Sequence, residues 1–328
     1  MKNLYPDVDW QPVKEALSSA KLIHIVAHVS PDSDTMGSQI ALYHLLTDLG
    51  KPVVMHNVDP VPRICMYLDG AHYITHGLDL FASIKADTVI AVDAGSRARL
   101  GVPNDYFDGK VVINIDHHAS NICYGNVNMV DARYCATGAM IYDLIQSLNV
   151  SLNAGMASAI YAAVLTDTAS FRMSTVTPDT HRMVANLLEA GASSEQAAQE
   201  IYQNFPRERF DLLQHALSTL DIDHDGATAW IHVPYHVYDE MGMSSEDSEG
   251  FIDYARSISG VVMAVFLREE SVNEWKLSLR GKQGYDVGAL AGQLGGGGHK
   301  YAAGCTLHGS FSEVRGKIYQ AMRDHLTV

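Results

Sequence analysis

Residues 111–118 read Val-Val-Ile-Asn-Ile-Asp-His-His, an apolar run that ends in an acid and two imidazoles. A run of this kind is a buried strand, and Asp116, His117 and His118 stand at its carboxyl end. Such a triplet is poor core material, because each group costs desolvation free energy unless something pairs with it. A metal cation is the usual partner for carboxylate and imidazole together. The chain is therefore constrained to bring further ligands to the same edge from neighbouring elements.

The flanking pattern contains them. Residues 21–29 read as a strand running into His28, followed by a polar turn over 30–38 that holds Asp32 and Asp34. Residues 39–49 carry apolar side chains at helical spacing and close on Gly50. Further strands are expected over 52–58, over 87–92 (running into Asp93), over 111–115 and over 127–130. Short apolar runs separated by helical patterns imply an α/β domain: a parallel sheet with helices on both faces. Ligands of such sheets bind at the carboxyl ends of the strands. Helices are then expected over 138–148, 154–165 and 178–190.

Residues 1–195 thus read as a first domain, 196–220 as a polar helical linker broken at Pro206, and 221–328 as a smaller α+β domain. In that second domain strands are expected over 227–233, 260–268 and 275–280. Helices are expected over 286–294 and 312–326, and a glycine-dense loop over 295–304. A chain of 328 residues is about right for two such units.

Charge narrows the function. With 23 basic and 38 acidic residues the formal net charge is −15, whereas binding long nucleic acid rests on many Lys and Arg contacts to phosphates. Any phosphates handled are expected to be few per substrate and met by a local site. No window approaches the roughly 18 apolar residues of a membrane span, and residues 1–10 lack the apolar core of a secretory signal. Cys65, Cys123, Cys135 and Cys305 form no C-x-x-C pair, which favours a reducing cytoplasm over a disulfide framework or a thiolate zinc site.

Four polar clusters fall at ends of first-domain elements: His28 with Asp32 and Asp34; Asp93; Asp116-His117-His118; and Asp167 between Thr166 and Thr168. Taken singly, each has a plain reading. A Pro-Asp-x-Asp turn is usually a helix N-cap, and one aspartate after a strand is usually a solvated turn. Taken together at one sheet edge, they favour a metal site. Oxygen and imidazole ligands without thiolate suit manganese, magnesium or iron better than structural zinc. The run Gly295-Gly296-Gly297-Gly298-His299-Lys300 lacks the Gly-Lys-Ser/Thr ending of a Walker A loop. It is either a flexible turn or a place where backbone N–H groups meet a phosphate or ribose, with His299 as a donor. Arg280 is a plausible phosphate clamp and Arg172 a weaker one.

These residues resemble the DHH phosphoesterase family. The resemblance rests on His28-x-x-x-Asp32-x-Asp34, Asp93, Asp116-His117-His118 and Asp167. The closing Gly-Gly-Gly-Gly-His-Lys-x-Ala-Ala-Gly resembles the DHHA1 domain that accompanies that family, here expected across a cleft. Within the family the likeness is greatest to the nanoRNase/pAp phosphatase group, and it covers nearly the whole chain. It implies one manganese held by His28, Asp32 and Asp93, and a second held by Asp34, Asp93, His117 and Asp167. It further implies that Asp116 orients its neighbours, that His118 faces the scissile phosphate, and that Arg280, Gly296, Gly297, Gly298 and His299 hold the substrate. Gly281 departs from the pattern, which has a serine after the clamp arginine.

The implied activity is a two-metal phosphodiesterase that converts oligoribonucleotides of about 2–5 residues to mononucleotides. Removal of the 3′-phosphate of pAp is a second expected activity. The alternative is a relative acting on cyclic dinucleotides or their linear products pApA and pGpG. A non-catalytic nucleotide sensor should have lost ligands, and none is lost. The glycine-histidine segment argues against an inorganic pyrophosphatase. Partners are then short RNA or small nucleotides, with no membrane and no long nucleic acid; the resemblance leaves a homodimer open.

Overall fold

The first strands are made by β-branched residues in short runs, and their period-2 alternation decides which face each side chain covers. The computed structural model describes residues 3–223, 226–282 and 284–326; the side chains of His299 and of residues 324–326 are outside that description. The chain divides into two compact units, Met1–Asn204 and Phe205–Val328.

The first unit runs α1 (Gln11–Ser19), β1 (Ile23–Val26), α2 (Ser33–Asp48), β2 (Val53–Asn57), β3 (Thr75–His76), β4 (Thr88–Val92), β5 (Val111–Asp116), β6 (Val127–Val130), α3 (Thr137–Ser147), α4 (Ala154–Asp167), α5 (Pro178–Glu189) and α6 (Ser194–Ala198). Its six strands lie in the order β3-β2-β1-β4-β5-β6, every pair parallel. The direction of winding reverses between β1 and β4, which makes their carboxyl ends the crevice of the sheet. One face of the sheet (Ile23, Ile25, Ile90, Val92, Ile113, Ile115) shares a core with residues of α1 to α4. The opposite face (Val26, Val89, Ala91, Val112) is covered by Phe81, Leu100, Tyr106 and Phe107, which belong to short 3₁₀ turns. Both faces are thus covered, one by α-helices and one by single turns.

Helix α2 begins at Ser33, six residues before the apolar periodicity starts. Asp32 is its N-cap, with its carboxylate accepting from Thr35 N at 3.0 Å. The first turn escaped the periodicity because Ser33, Asp34, Thr35 and Ser38 are polar yet buried. Helices α2 and α4 meet at Gly37, where an added Cβ would lie 2.3 Å from the Ala159 carbonyl oxygen. A Cβ on Gly138 of α3 would likewise lie 2.5 Å from Ala163 Cβ.

The second unit comprises α7 (Arg207–Ser218), β7 (Asp221–Ile222), β8 (Thr228–Val233), α8 (Tyr235–Met241), α9 (Ile252–Ser257), β9 (Met263–Ser271), β10 (Glu274–Gly281), α10 (Val287–Gln293), β11 (Gly297–His299), β12 (Ala302–His308) and α11 (Phe311–Leu326). The strand order is β11-β12-β10-β9-β8-β7, with β8 and β9 parallel and the other pairs antiparallel. Trp230, Val265, Leu267, Leu277 and Leu279 pack with Leu290, Val314 and Ile318 on one side. Ala229, Ile231, Ala264 and Phe266 pack with Leu212, Tyr238 and Ile252 on the other.

Two expectations change. The span read as a linker is divided: α6 and a π turn over Gln199–Gln203 fall in the first unit, and α7 begins after Pro206 and sends Leu212 and Ala216 into the second unit's core. The glycine-dense segment is not a loop but a hairpin, with Gly297, Gly298 and His299 pairing with Gly304, Ala303 and Ala302. Strand periodicity is invisible where side chains are missing. Glycine is required there: a Cβ on Gly304 would lie 2.4 Å from the Leu277 carbonyl oxygen, and one on Gly296 would lie 2.1 Å from that of Gly304.

The Gly37 contact yields a prediction. Gly37→Ala should push α2 away from α4 and lower stability by about 1–3 kcal/mol, as overpacked cores do. Urea unfolding followed by circular dichroism measures it; a midpoint equal to wild type would contradict the contact.

Candidate metal centre

The crevice between β1 and β4 is where the chemistry-bearing residues collect. His28 lies two residues beyond β1, Asp93 directly follows β4, and Asp116 is the last residue of β5. Asp93 has φ +57°, a left-handed conformation that costs an ordinary residue free energy and concentrates at functional positions. Its own amide is held by the Ile115 carbonyl at 3.0 Å. Its carboxylate accepts from two buried hydroxyls, Thr35 Oγ1 on Oδ2 at 2.8 Å and Thr137 Oγ1 on Oδ1 at 3.0 Å.

Asp34 is held differently. The residue before α3 is Ala136, which offers no side-chain cap. The Asp34 carboxylate takes that place from α2, accepting the first amides of α3, Thr137 N and Gly138 N, each at 2.8 Å. A helix N-terminus offers both unused donors and positive potential, so a carboxylate is tolerated there despite being 1% exposed.

Three groups of ligand atoms result, each within 4.8 Å of one another: His28, Asp32 and Asp93; Asp34, His117 and Asp167; and Asp93, His117 and His118. Asp93 and His117 each belong to two of them. His117 Nε2 stands 3.7 Å from Asp34 Oδ2, 3.7 Å from Asp93 Oδ1 and 3.5 Å from Asp167 Oδ2. Asp167 ends α4, so a helix brings this carboxylate to the same group.

The imidazoles are oriented by their second nitrogens. His28 Nδ1 lies 2.8 Å from the Val29 carbonyl, and His117 Nδ1 lies 3.3 Å from that of Tyr134. A carbonyl fixes the proton on Nδ1 and leaves the Nε2 lone pair of the neutral ring for a cation. His118 instead turns Nδ1 to Asp116 Oδ1 at 2.7 Å. The other oxygen of Asp116 accepts from Asn121 Nδ2 at 2.6 Å, and Asn121 Nδ2 also reaches the Ala94 carbonyl and Asn114 Oδ1.

The electrostatics fit a divalent cation. Burial, and then the charges of Asp93, Asp167 and Asp32, raise the Asp34 carboxyl well above its ordinary value. Burial likewise lifts Asp167 to about 6, with Asp93 and Asp32 adding to it against His117. Burial also works against a charge on Asp93, but His28, His117 and His118 outweigh it and hold that carboxyl well below the usual range. His118 is raised to about 9, because the bond to Asp116 and the charges of Asp93, Asp116 and Asp167 outweigh its burial. Carboxylates packed this closely repel one another in a poorly solvated place, and positive charge among them removes the conflict. The donor set, carboxylate oxygen and imidazole without thiolate, suits manganese or magnesium.

The residues singled out for substrate belong to other elements. Arg280 is half-buried near the end of β10, opposite Ala302, and donates to the Leu279 carbonyl at 3.1 Å. Gly296, Gly297 and Gly298 belong to the exposed hairpin beside it in the sheet; Gly298 has φ +140°. The backbone of His299 pairs with Ala302, and its side chain is outside the described residues. A Cβ on Gly281 would lie 2.7 Å from the Tyr285 carbonyl oxygen, so the turn after β10 occupies the space a serine would need. Arg172 is exposed in the first unit, after a left-handed turn at Ala169, Ser170 and Phe171. Periodicity and motif reading passed over Thr35, Thr137 and Asn121. Thr35 had a faint signal, since it stands three residues after the N-cap aspartate.

Comparison with known proteins identifies the family and the fold. Residues 22–166 match the DHH family, N-terminal domain, and residues 232–326 match the DHHA1 domain. The chain is 35% identical over 309 residues to the bifunctional oligoribonuclease and PAP phosphatase NrnA of Thermus thermophilus, covering 93% of this chain and 90% of that protein. It is 25% identical over 181 residues, 52% of this chain and 56% of the other, to the manganese-dependent inorganic pyrophosphatase of Methanocaldococcus jannaschii. In fold it is similar to an exopolyphosphatase-related protein from Bacteroides fragilis, with a TM-score of 0.88 at 24% identity over 98% of both chains.

A pH dependence follows from Asp167 and Asp34. A proton and a cation compete for these raised carboxyls. Affinity for Mn²⁺ should therefore fall as the pH drops through about 6, where Asp167 takes its proton, well above the ordinary carboxylate value near 4. Titration calorimetry between about pH 7.5 and about pH 5.5 measures this. Asp167→Asn should weaken binding and flatten the profile, whereas a flat wild-type profile would contradict the assignment.

Proposed function

Because the chain belongs to the DHH phosphoesterase family, a family of hydrolases, and carries the DHHA1 domain, we propose that it is a two-cation phosphodiesterase releasing mononucleotides from short oligoribonucleotides. The observation that carries this reading is the pairing of two ligand groups around one aspartate: His28 and Asp32 on one side of Asp93, and Asp34, His117 and Asp167 on the other. Manganese is the proposed cation, supported by the oxygen and imidazole donors and by the manganese-dependent relative matched over half the chain. Removal of the 3′-phosphate of pAp is proposed as a second activity, after the Thermus relative whose name joins the two.

In this reading His28, Asp32 and Asp93 would hold one cation, and Asp34, Asp93, His117 and Asp167 would hold the other. A pair of divalent cations supplies a nucleophile from water at neutral pH and neutralises charge on the attacking and leaving oxygens. His118 donates to the reacting phosphate, with Asp116 and Asn121 keeping its ring in place. Arg280 and the hairpin backbone at Gly297 and Gly298 bind a further phosphate or ribose of the substrate; the Gly296 amide is given to the Ala291 carbonyl at 2.8 Å, so that glycine serves by leaving room. A net charge of −15 opposes long polymers, which fits substrates of about 2–5 residues. No helix among the described residues is long and apolar enough to cross a membrane, and the four cysteines are free thiols, in keeping with the cytoplasmic location we propose.

Two substitutions test the reading. Asp93→Asn should lower mononucleotide release from short RNA by at least about a thousandfold, since it disturbs both cation positions. Arg280→Ala should raise KM with a smaller effect on kcat. The assay is chromatography of products from a panel of two- to five-residue RNAs, pAp, pApA, pGpG and cyclic dinucleotides. Retained activity in Asp93→Asn would sink the proposal. A clear preference for pApA, pGpG or a cyclic dinucleotide over longer RNA would replace it by the dinucleotide reading.

A further inference from the structure

Thr35 lies in the first turn of α2 with no exposed surface. Its hydroxyl oxygen is 2.6 Å from His28 Nε2, 3.0 Å from Asp32 Oδ1 and 2.8 Å from Asp93 Oδ2. These contacts reach one atom on each member of a single ligand group. Helix capping does not account for them. The cap is already made by the backbone, Thr35 N to Asp32 Oδ1 at 3.0 Å, and it involves neither His28 nor Asp93.

The proton count around this hydroxyl is short. Two carboxylate oxygens only accept, and the hydroxyl has one hydrogen to give. When His28 is neutral, with Nδ1–H engaged by Val29, its Nε2 adds a third lone pair directed at the same oxygen. When the ring carries both protons, Nε2–H donates to the hydroxyl, and two carboxylates still share one hydrogen. In either state the hydroxyl holds together ligand atoms that it cannot all satisfy, and a cation would satisfy them together.

We propose that Thr35 is a positioning residue for the cation of the His28, Asp32 and Asp93 group. Its hydroxyl keeps the three ligand atoms converged before the cation arrives, and donates to Asp93 Oδ2 once it is bound. Thr137 makes the matching bond to Asp93 Oδ1 from the start of α3, so the shared carboxylate is fixed at both oxygens. The inference rests on the two-cation reading above and adds a residue that neither the motif nor the ligand set contains.

The test is Mn²⁺ titration calorimetry on the full chain after chelator treatment, for wild type, Thr35→Val, Thr35→Ser and Thr35→Ala. Valine keeps the shape and loses the hydroxyl; alanine is a second hydroxyl-free variant should valine fail to fold. Loss of a group that orients a metal ligand commonly weakens affinity by about 10–100-fold. The valine and alanine variants should therefore lose about tenfold or more at one of two sites, while the serine variant stays within about threefold of wild type. Equal or tighter binding by the hydroxyl-free variants, or an equal loss in Thr35→Ser, overturns the inference while leaving the two-cation reading in place. A wild-type chain that takes up no Mn²⁺ overturns both.

Discussion

A carboxylate buried at the crossover of a parallel sheet needs donors or a cation, and Asp93 is that carboxylate here. It follows β4 where the winding of the sheet reverses, in a left-handed backbone conformation, 4% exposed. Its position depends on three separate elements. The first turn of α2 supplies Thr35, the first turn of α3 supplies Thr137, and β5 supplies the carbonyl that fixes its amide. Those first turns are held in register by the close approach of Gly37 to Ala159 and of Gly138 to Ala163. Core packing and ligand placement are therefore one problem in this unit. A methyl group added between α2 and α4 would move Asp34 and Thr35 together.

The histidines extend the same logic. Backbone carbonyls fix the rings of His28 and His117 so that Nε2 faces the carboxylates. His118 is turned the other way by Asp116, which is itself held by Asn121. Adjacent residues of one triplet thus acquire different surroundings because the strand ends between Asp116 and His117. The side chain of Asp116 lies with the last pleat of the strand, and the two histidines follow the turn.

Much of this was legible in the sequence, and the parts that were not have physical reasons. The strand ends before His28, Asp93 and His117 were marked by β-branched runs giving way to polar residues. The DHH and DHHA1 resemblance supplies the ligand set proposed above. The start of α2 was hidden because buried polar residues such as Asp34 and Ser38 erase helical amphipathicity. The β11–β12 hairpin was hidden because glycine carries no side chain to alternate. Thr35 and Thr137 were hidden for a third reason: a threonine near a helix start reads as a cap, and only distances reveal that its hydroxyl serves a carboxylate from another element. The sequence marks Gly281 as a departure from the family pattern, but its cause, the Tyr285 carbonyl 2.7 Å from where a Cβ would stand, is visible only in the fold.

On the reading proposed above, the ligand groups flanking Asp93 form a centre for two cations. Its most direct test is a crystal of the Mn²⁺-loaded protein, with anomalous maps collected above and below the manganese edge. Two peaks are expected about 3.5–4 Å apart, one beside His28 and Asp32 and one beside Asp34, His117 and Asp167, with Asp93 between them. A single peak, or peaks away from Asp93, would contradict it.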